Sequence, residues 1–503
     1  MAKATTMRPR LLHGLLCLFL LVILLTFTSS SFASAGSGSG KVVTSLPGYD
    51  GRLPFYLETG YVEVDEDNGA ELFYYFVESE SGSADDVPFL LWLTGGDRCS
   101  VFSGLAYEIG PIRFVLEPYN GTLPRLRYNQ NSWSQVSHIL FIDSPVGAGF
   151  SFSRQPKGYD VGDISATLQL HEFLIKWFSD HPKYLASPFY IGGDSYAGKI
   201  APFLAQIVSE GLGCYYLLLY ERQLSIEEGR RPLINLKGYL VGNAATGESV
   251  DFNSRVPYAH GFGIISDQLY ETILGHCQGE DYSNPSNALC AQALITFNNL
   301  ISEVQQAQIL LDTCVYASPL PNDANIRMKG SDGRRILKEE IEVGKLDHPP
   351  ARPKFGCVTY GYYLSYYWAN DKRTRDALGI KEGTKDEWVR CHDKDLPYST
   401  DLGSVIKYHR NLTTRGYRAL AYSGDHDLLV PHLGTQAWVR SLNFSVVDEW
   451  RAWHLGGQAA GFTISYANNM TFATIKGGGH TAPEYEPERC YAMFSRWILN
   501  RSL

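Results

Sequence analysis

Ser195 stands in Gly193-Asp194-Ser195-Tyr196-Ala197-Gly198, which nearly matches the Gly-x-Ser-x-Gly pattern of a nucleophile elbow, with alanine at the second small position. Small neighbours are what the chemistry demands. A tight strand-to-helix turn leaves no room for side chains, and its strain pushes the hydroxyl into the cleft. A serine hydroxyl attacks a carbonyl only when a base takes its proton, so the chain must also supply a histidine and a group to orient it. His480 ends Lys476-Gly477-Gly478-Gly479-His480, where three glycines let the backbone approach a nucleophile closely, and Asp427 closes Tyr422-Ser423-Gly424-Asp425-His426-Asp427. Each residue has a plainer reading: a serine between glycines is usually a turn, Asp427 could cap a helix over 433–442, Asp425 competes with it, and a lone histidine is more often a loop residue. Three such residues in the order Ser, Asp, His point together to acyl transfer through Ser195, with His480 as base and then acid, and Asp427 fixing the imidazole tautomer. The oxyanion needs two preorganised N–H donors, worth about 3 kcal/mol each. The Tyr196 N–H is one by elbow geometry, and Gly95-Gly96 is the candidate for the second.

The elements that must position these groups show as short apolar runs ending in glycine or acidic residues: 89–93, 139–142, 189–191, 236–242, 418–422 and 472–475. Runs this short and continuous suit strands buried on both faces, hence a mostly parallel central sheet flanked by helices. Ile200, Phe203, Leu204 and Ile207 form an i, i+3, i+4, i+7 stripe that predicts an amphipathic helix directly after Ser195. The sheet signal breaks off over 247–396, which holds five cysteines, an amphipathic segment over 288–311 and a polar, Pro- and charge-rich piece over 317–354. The pattern predicts an α/β-hydrolase fold with core parts 36–246 and 397–503, a helical lid inserted over 247–396, and a cleavable loop over 317–354.

The N-terminus carries Lys3, Arg8 and Arg10, an apolar run over 11–27 and an Ala33-Ser34-Ala35 site, the pattern of a signal peptide over 1–35. A signal anchor is the rival, since the run approaches membrane-spanning length, but no basic stop-transfer cluster follows and no stable membrane insertion is expected after cleavage. The expected location is the secretory pathway, extracellular or vacuolar. A formal charge of -9 argues against a nucleic-acid partner, which needs a basic face. Eight cysteines follow Cys17 of the leader, an even number that reads as disulfides in an oxidising compartment; none forms C-x-x-C or ligand spacing with histidines, so neither metal nor cofactor is expected. Sequons at Asn120, Asn411, Asn443, Asn469 and Asn500 predict a glycoprotein.

At this point a resemblance is visible, carried by Leu91-Trp92-Leu93-Thr94-Gly95-Gly96 with Cys99-Ser100, Tyr107-Glu108-Ile109-Gly110-Pro111, Ile142-Asp143-Ser144-Pro145-Val146-Gly147, Gly193 to Gly198, Gly242-Asn243, Gly424 to Asp427 and Gly479-His480-Thr481-Ala482-Pro483. From about Lys41 to the C-terminus the chain resembles the plant serine carboxypeptidase-like family. The resemblance implies Ser195, Asp427 and His480 as the triad, Gly96 and Tyr196 as the oxyanion hole, and Thr94, Asp194 and Glu108 as substrate-binding residues. It also implies the disulfides Cys99–Cys391, Cys277–Cys290 and Cys314–Cys357, with Cys214 and Cys490 left over and not bonded to each other. The family's members are carboxypeptidases or acyltransferases that use 1-O-acylglucose esters. Its peptidases hold the substrate carboxylate with Asn at the position of Thr94 and Glu at that of Asp194. Thr lacks the amide donors and Asp is a methylene shorter, so the resemblance points to an acyltransferase taking a small-molecule donor and acceptor. A carboxypeptidase acting on a peptide C-terminus is the first alternative, and a catalytically silent glycoprotein of the same fold the second. The silent reading draws on Asp97-Arg98, which stand where the family has Pro-Gly: a positive φ at Arg98 would cost about 1–2 kcal/mol, and Asp97 would bring negative charge beside Gly96. The run around 214–225 is an apparent insertion.

Overall fold

Strand β4 (Phe89–Leu93) is buried at every position because it sits inside a sheet covered on both sides: Leu90 and Trp92 pack into one core cluster, Phe89, Leu91 and Leu93 into the other. This computed structural model describes residues 40–82, 86–210, 234–314, 351–392 and 396–503. The expected leader, the 214–225 insertion with Cys214, and residues 317–350 of the expected loop lie outside them.

The other strands are β1 (Lys41–Val42), β2 (Leu57–Asp65), β3 (Ala70–Val77), β5 (Ile112–Phe114), β6 (Leu126–Tyr128), β7 (His138–Ile142), β8 (Phe152–Ser153), β9 (Phe189–Asp194), β10 (Leu236–Gly242), β11 (Arg418–Gly424), β12 (Val446–Leu455), β13 (Gln458–Tyr466) and β14 (Met470–Ile475). Twelve of them form one sheet in the order β1-β2-β3-β7-β4-β9-β10-β11-β14-β13-β12, with β8 on β3. The six expected runs are its centre, β7 to β14, and pair in parallel. Antiparallel wings outside those six runs extend it at both ends.

The Asp163–Asp180 and Ala197–Glu210 helices cover one face, and Pro487–Ile498 helps cover the other. Between β10 and β11 come helices that divide by what they bury. Arg255–Gly261, Asp267–His276 and Ala288–Ile301 share a small core of Val256, Ile273, Leu294 and Phe297, joined by Leu428, whereas Tyr360, Leu364 and Trp368 of Tyr360–Asn370 sink into the main core. Of the amphipathic segment expected over 288–311, the helix covers Ala288–Ile301; beyond it Gln306, Ala307 and Ile309 bond to Leu428, His480 and His426, and the other backbone bonds are local turns. Disulfides Cys99–Cys391, Cys277–Cys290 and Cys314–Cys357 form as expected, and Cys490 is buried and free. All five sequon asparagines are exposed. Among the described residues no helix is long and apolar enough to cross a membrane.

Candidate active site

Ser195 takes φ +54° between the end of β9 and the Ala197–Glu210 helix. A side chain in this region costs of order 1 kcal/mol or more, so surrounding structure must hold it there. The Ser195 N–H donates to Gly242 O at 2.9 Å, and its carbonyl accepts from Gly198 and Ala245 N–H, both at 3.0 Å. A Cβ on Gly193 would lie 2.6 Å from Leu93 O and 2.7 Å from Ala197 Cβ, and one on Gly198 would lie 2.4 Å from Ala244 Cβ. Alanine is therefore tolerated at 197 because the turn's other small positions are bare.

The His480 ring joins the other two residues. Its Nε2 lies 2.7 Å from Ser195 Oγ and its Nδ1 2.8 Å from Asp427 Oδ2. Asp427 is fully buried and also accepts from Asn243 Nδ2 at 2.8 Å, Leu429 N–H at 2.7 Å and Val430 N–H at 3.1 Å. A carboxylate ringed by donors only accepts, so Nδ1 carries the imidazole proton and Nε2 faces the serine as the acceptor. Asp425 turns elsewhere and accepts from Gly477 N–H at 2.7 Å; the His432–Ser441 helix begins after Pro431 without a cap from Asp427. Asn243 was not foreseen in this role, although the end of a buried strand is where a polar amide needs a reason.

Gly96 takes φ +69°, and a Cβ on Gly95 would lie 2.8 Å from Ser195 Cβ, so only glycine lets this loop come so near the serine. Among the described residues the N–H groups of Gly96 and Tyr196 have no protein acceptor, and both residues border the cleft with Thr94, Asp97 and Tyr398. Arg98 is not among the positive-φ residues, so the strain anticipated there does not arise. Its guanidinium pairs with Asp97 at 3.2 Å and donates to Leu396 O at 3.0 Å, which offsets the charge that Asp97 brings.

The Thr94 hydroxyl donates to Glu108 Oε1 at 3.0 Å and Trp92 Nε1 to Glu108 Oε2 at 2.7 Å. Asp194 Oδ1 accepts from Gly95 N–H at 3.2 Å, while its buried Oδ2 has no partner. Burial, with repulsion from Glu484, pushes the Glu108 carboxyl up to about 7. Burial, then the charges of Glu108 and Glu484, pushes Asp194 well above the usual carboxylate range. Glu484 is a third acid, half-buried and held by Tyr362 Oη at 2.5 Å and Thr481 Oγ1 at 2.9 Å, and Arg113 Nη2 donates to Glu108 O at 2.7 Å. Glu484, Tyr362 and Arg113 carried no local signal, because the fold gathers them from distant parts of the chain.

The arrangement offers an oriented base against a hydroxyl, beside two unengaged N–H groups. Comparison with known proteins agrees in kind. A sequence profile for serine carboxypeptidases matches residues 47–500. Serine carboxypeptidase-like 19 of Arabidopsis thaliana is 44% identical over 92% of this chain and 94% of its own length. Serine carboxypeptidase-like 7 of the same plant is also 44% identical over 92% and 94%. The crystal structure of Kex1, a prohormone-processing carboxypeptidase of Saccharomyces cerevisiae, overlays 89% of this chain and 91% of its own with a TM-score of 0.64 at 18% identity, a likeness of fold. On the profile and the plant relatives together, the chain belongs to the serine carboxypeptidase family.

Proposed function

We propose that this protein is an acyltransferase that moves an acyl group from a 1-O-acylglucose ester to an acceptor hydroxyl or amine through an ester on Ser195. His480 Nε2 takes the serine proton, the Gly96 and Tyr196 N–H groups receive the oxyanion, and glucose leaves with a proton from His480; the acceptor then gives its proton to His480 and attacks the acyl carbon, expelling Ser195, which takes that proton back. One observation carries the choice of transfer over peptide hydrolysis: of the groups expected to grip a substrate carboxylate, Thr94 and Glu108 are bonded to each other, and Asp194 is tied to the backbone by one oxygen while its other oxygen stays unpaired. The Thr94 hydroxyl is given to Glu108 and Asp194 Oδ1 takes the Gly95 N–H. Transfer needs no further catalytic group, since a bound acceptor competes with water at about 55 M through effective molarities that reach roughly 10⁵ M.

A carboxypeptidase reading is favoured by a different observation: Glu108 and Asp194, raised by burial, stay protonated in acid and can donate to a carboxylate. In either case the helices Arg255–Gly261, Asp267–His276 and Ala288–Ile301 act as the lid, and the protein works as a glycoprotein of the secretory pathway. Acylglucose donors screened against acceptors should give transfer product that Ser195→Ala abolishes, with N-blocked dipeptides hydrolysed poorly. Efficient release of C-terminal residues at acid pH without transfer would decide for the peptidase. Failure of both, with Ser195 inert to a fluorophosphonate, would decide for a silent fold.

A further inference from the structure

The three glycines before His480 let this loop pack closely against Gly424, Ala307 and Gln308, but they also leave its backbone with little restraint of its own. Misplacing a catalytic group by about 1 Å can cost roughly a hundredfold in rate, so something outside the loop must fix it. The structure supplies that restraint from residues 306–309, which follow the Ala288–Ile301 helix and run between the two loops that carry Asp427 and His480. Ala307 O accepts from the His480 N–H at 2.7 Å. Gln306 O accepts from Leu428 N–H at 2.9 Å, and Ile309 N–H donates to His426 O at 3.1 Å, on either side of Asp427. Gln308 is 6% exposed; its Nε2 donates to Gly477 O at 2.9 Å and its Oε1 accepts from Leu310 N–H at 3.0 Å. A Cβ on Gly479 would lie 2.4 Å from Ala307 O and 2.9 Å from Gln308 Cβ, so strap and loop are in direct contact. The strap is tied to the neighbouring helices by a shared core, since Ile309 packs against the cluster that holds Phe297, Ile301 and Leu428. From the same side Tyr258 Oη donates to Asp425 O at 2.7 Å and Arg255 Nε to Leu429 O at 2.8 Å.

We infer that residues 306–309 are a strap that sets His480 on Ser195, and that Gln308 is its positioning residue, acting through Gly477 without touching substrate. The inference rests on the acyl-enzyme reading of Ser195 but not on which donor or acceptor is used. Gln308 fixes one side of Gly477 while Asp425 fixes the other by accepting its N–H.

The test is the second-order rate at which a fluorophosphonate labels Ser195 in the full chain, which needs no natural substrate. Wild type, Gln308→Ala and Gln308→Glu are compared between about pH 5 and pH 8, each rate corrected for the folded fraction from thermal unfolding. Gln308→Ala should label about tenfold more slowly or worse at every pH. Gln308→Glu keeps the acceptor for Leu310, and when protonated it also keeps a donor for Gly477. Its rate relative to wild type should therefore approach one in acid and fall as the carboxyl ionises. The charged groups that border Gly477 are Asp425, Glu486 and Arg489, the last two paired with each other, so burial at Gln308 and the Asp425 charge favour the protonated form of the new carboxyl. Corrected rates equal to wild type for Gln308→Ala would overturn the inference. So would a Gln308→Glu deficit that is the same at both ends of the pH range, since a merely structural defect has no reason to follow that proton. Wild type that resists the probe overturns both this inference and the acyl-enzyme reading, which separates the two failures.

Discussion

At the residue scale the site depends on a carboxylate that can only accept. Asp427 has no exposed surface, and Asn243, Leu429 and Val430 supply the donors that hold its oxygens in place beside His480. Asn243 is the side-chain member of that set, and its Oδ1 accepts from Gly424 N–H at 2.9 Å, so it fastens the end of β10 to the end of β11. Asn243→Ala leaves a buried oxygen and a buried N–H short of partners, at about 1–3 kcal/mol. We expect a lower unfolding midpoint together with slower fluorophosphonate labelling of Ser195; an unchanged labelling rate in the folded protein would show that the other donors suffice to orient Asp427. Ser195, His480 and Asp427 were legible because each lies in a turn whose glycines have one geometric purpose. Asn243, Glu484 and Gln308 were not, because their roles arise from partners far away in sequence: Asp427, Tyr362 and Gly477 respectively.

At the scale of elements, legibility followed burial pattern. Strands covered on both faces, such as β4 and β7, appear as unbroken apolar runs, and the six that surround the elbow were all visible. β12, Val446–Leu455, contains Asp448, Glu449 and Arg451 and lies at the edge of the sheet mostly outside the core, so no apolar run announces it. β3 is buried throughout and carries an equally unbroken run over 72–77 that ends at Glu78, so it was legible by the same rule, whereas its partner β2, only partly buried, was not. The helices Arg255–Gly261, Asp267–His276 and Ala288–Ile301 gain order from their own small core, which the 13-residue Cys277–Cys290 link closes. A loop of that length contributes about 3 kcal/mol by chain entropy. Replacing both cysteines by serine should lower the stability of the protein by about 2–3 kcal/mol in denaturant unfolding. The strap after Ile301 belongs to the same packed group, so the labelling rate of Ser195 should fall with it. Loss of stability with no change in labelling of the remaining folded protein would show that the strap is held by the catalytic loops alone.

Across the whole molecule, buried titratable groups pull the stability in opposite directions with pH. His138 and His409 are buried and neutral, their imidazoles held down to about 4 and about 3 by desolvation. The unfolded chain takes up those protons near the ordinary histidine value, so their contribution is present above that value and is lost as pH falls. Glu108 and Asp143 act with the other sign. Burial first raises Glu108 to about 7 and Asp143 to about 6, so the folded state keeps protons that the unfolded chain has released. Their contribution is present in full below the ordinary carboxylate range and is lost as pH rises through about 7 and about 6. Glu108 can be isolated from this balance, because glutamine keeps an oxygen for Trp92 Nε1 and an amide for the Thr94 hydroxyl. Asp194 and Glu484 repel its charge, and Arg390 is the cation that favours it. Glu108→Gln should therefore unfold near wild type at about pH 4.5 and gain on it steadily up to about pH 7.5, by an amount on the order of 3 kcal/mol. Asp194 is relieved of a neighbouring charge in the same variant, which adds to the gain with the same sign. Parallel unfolding midpoints for the two proteins over that range would mean that Glu108 ionises at its ordinary value in the folded state and carries charge at neutral pH.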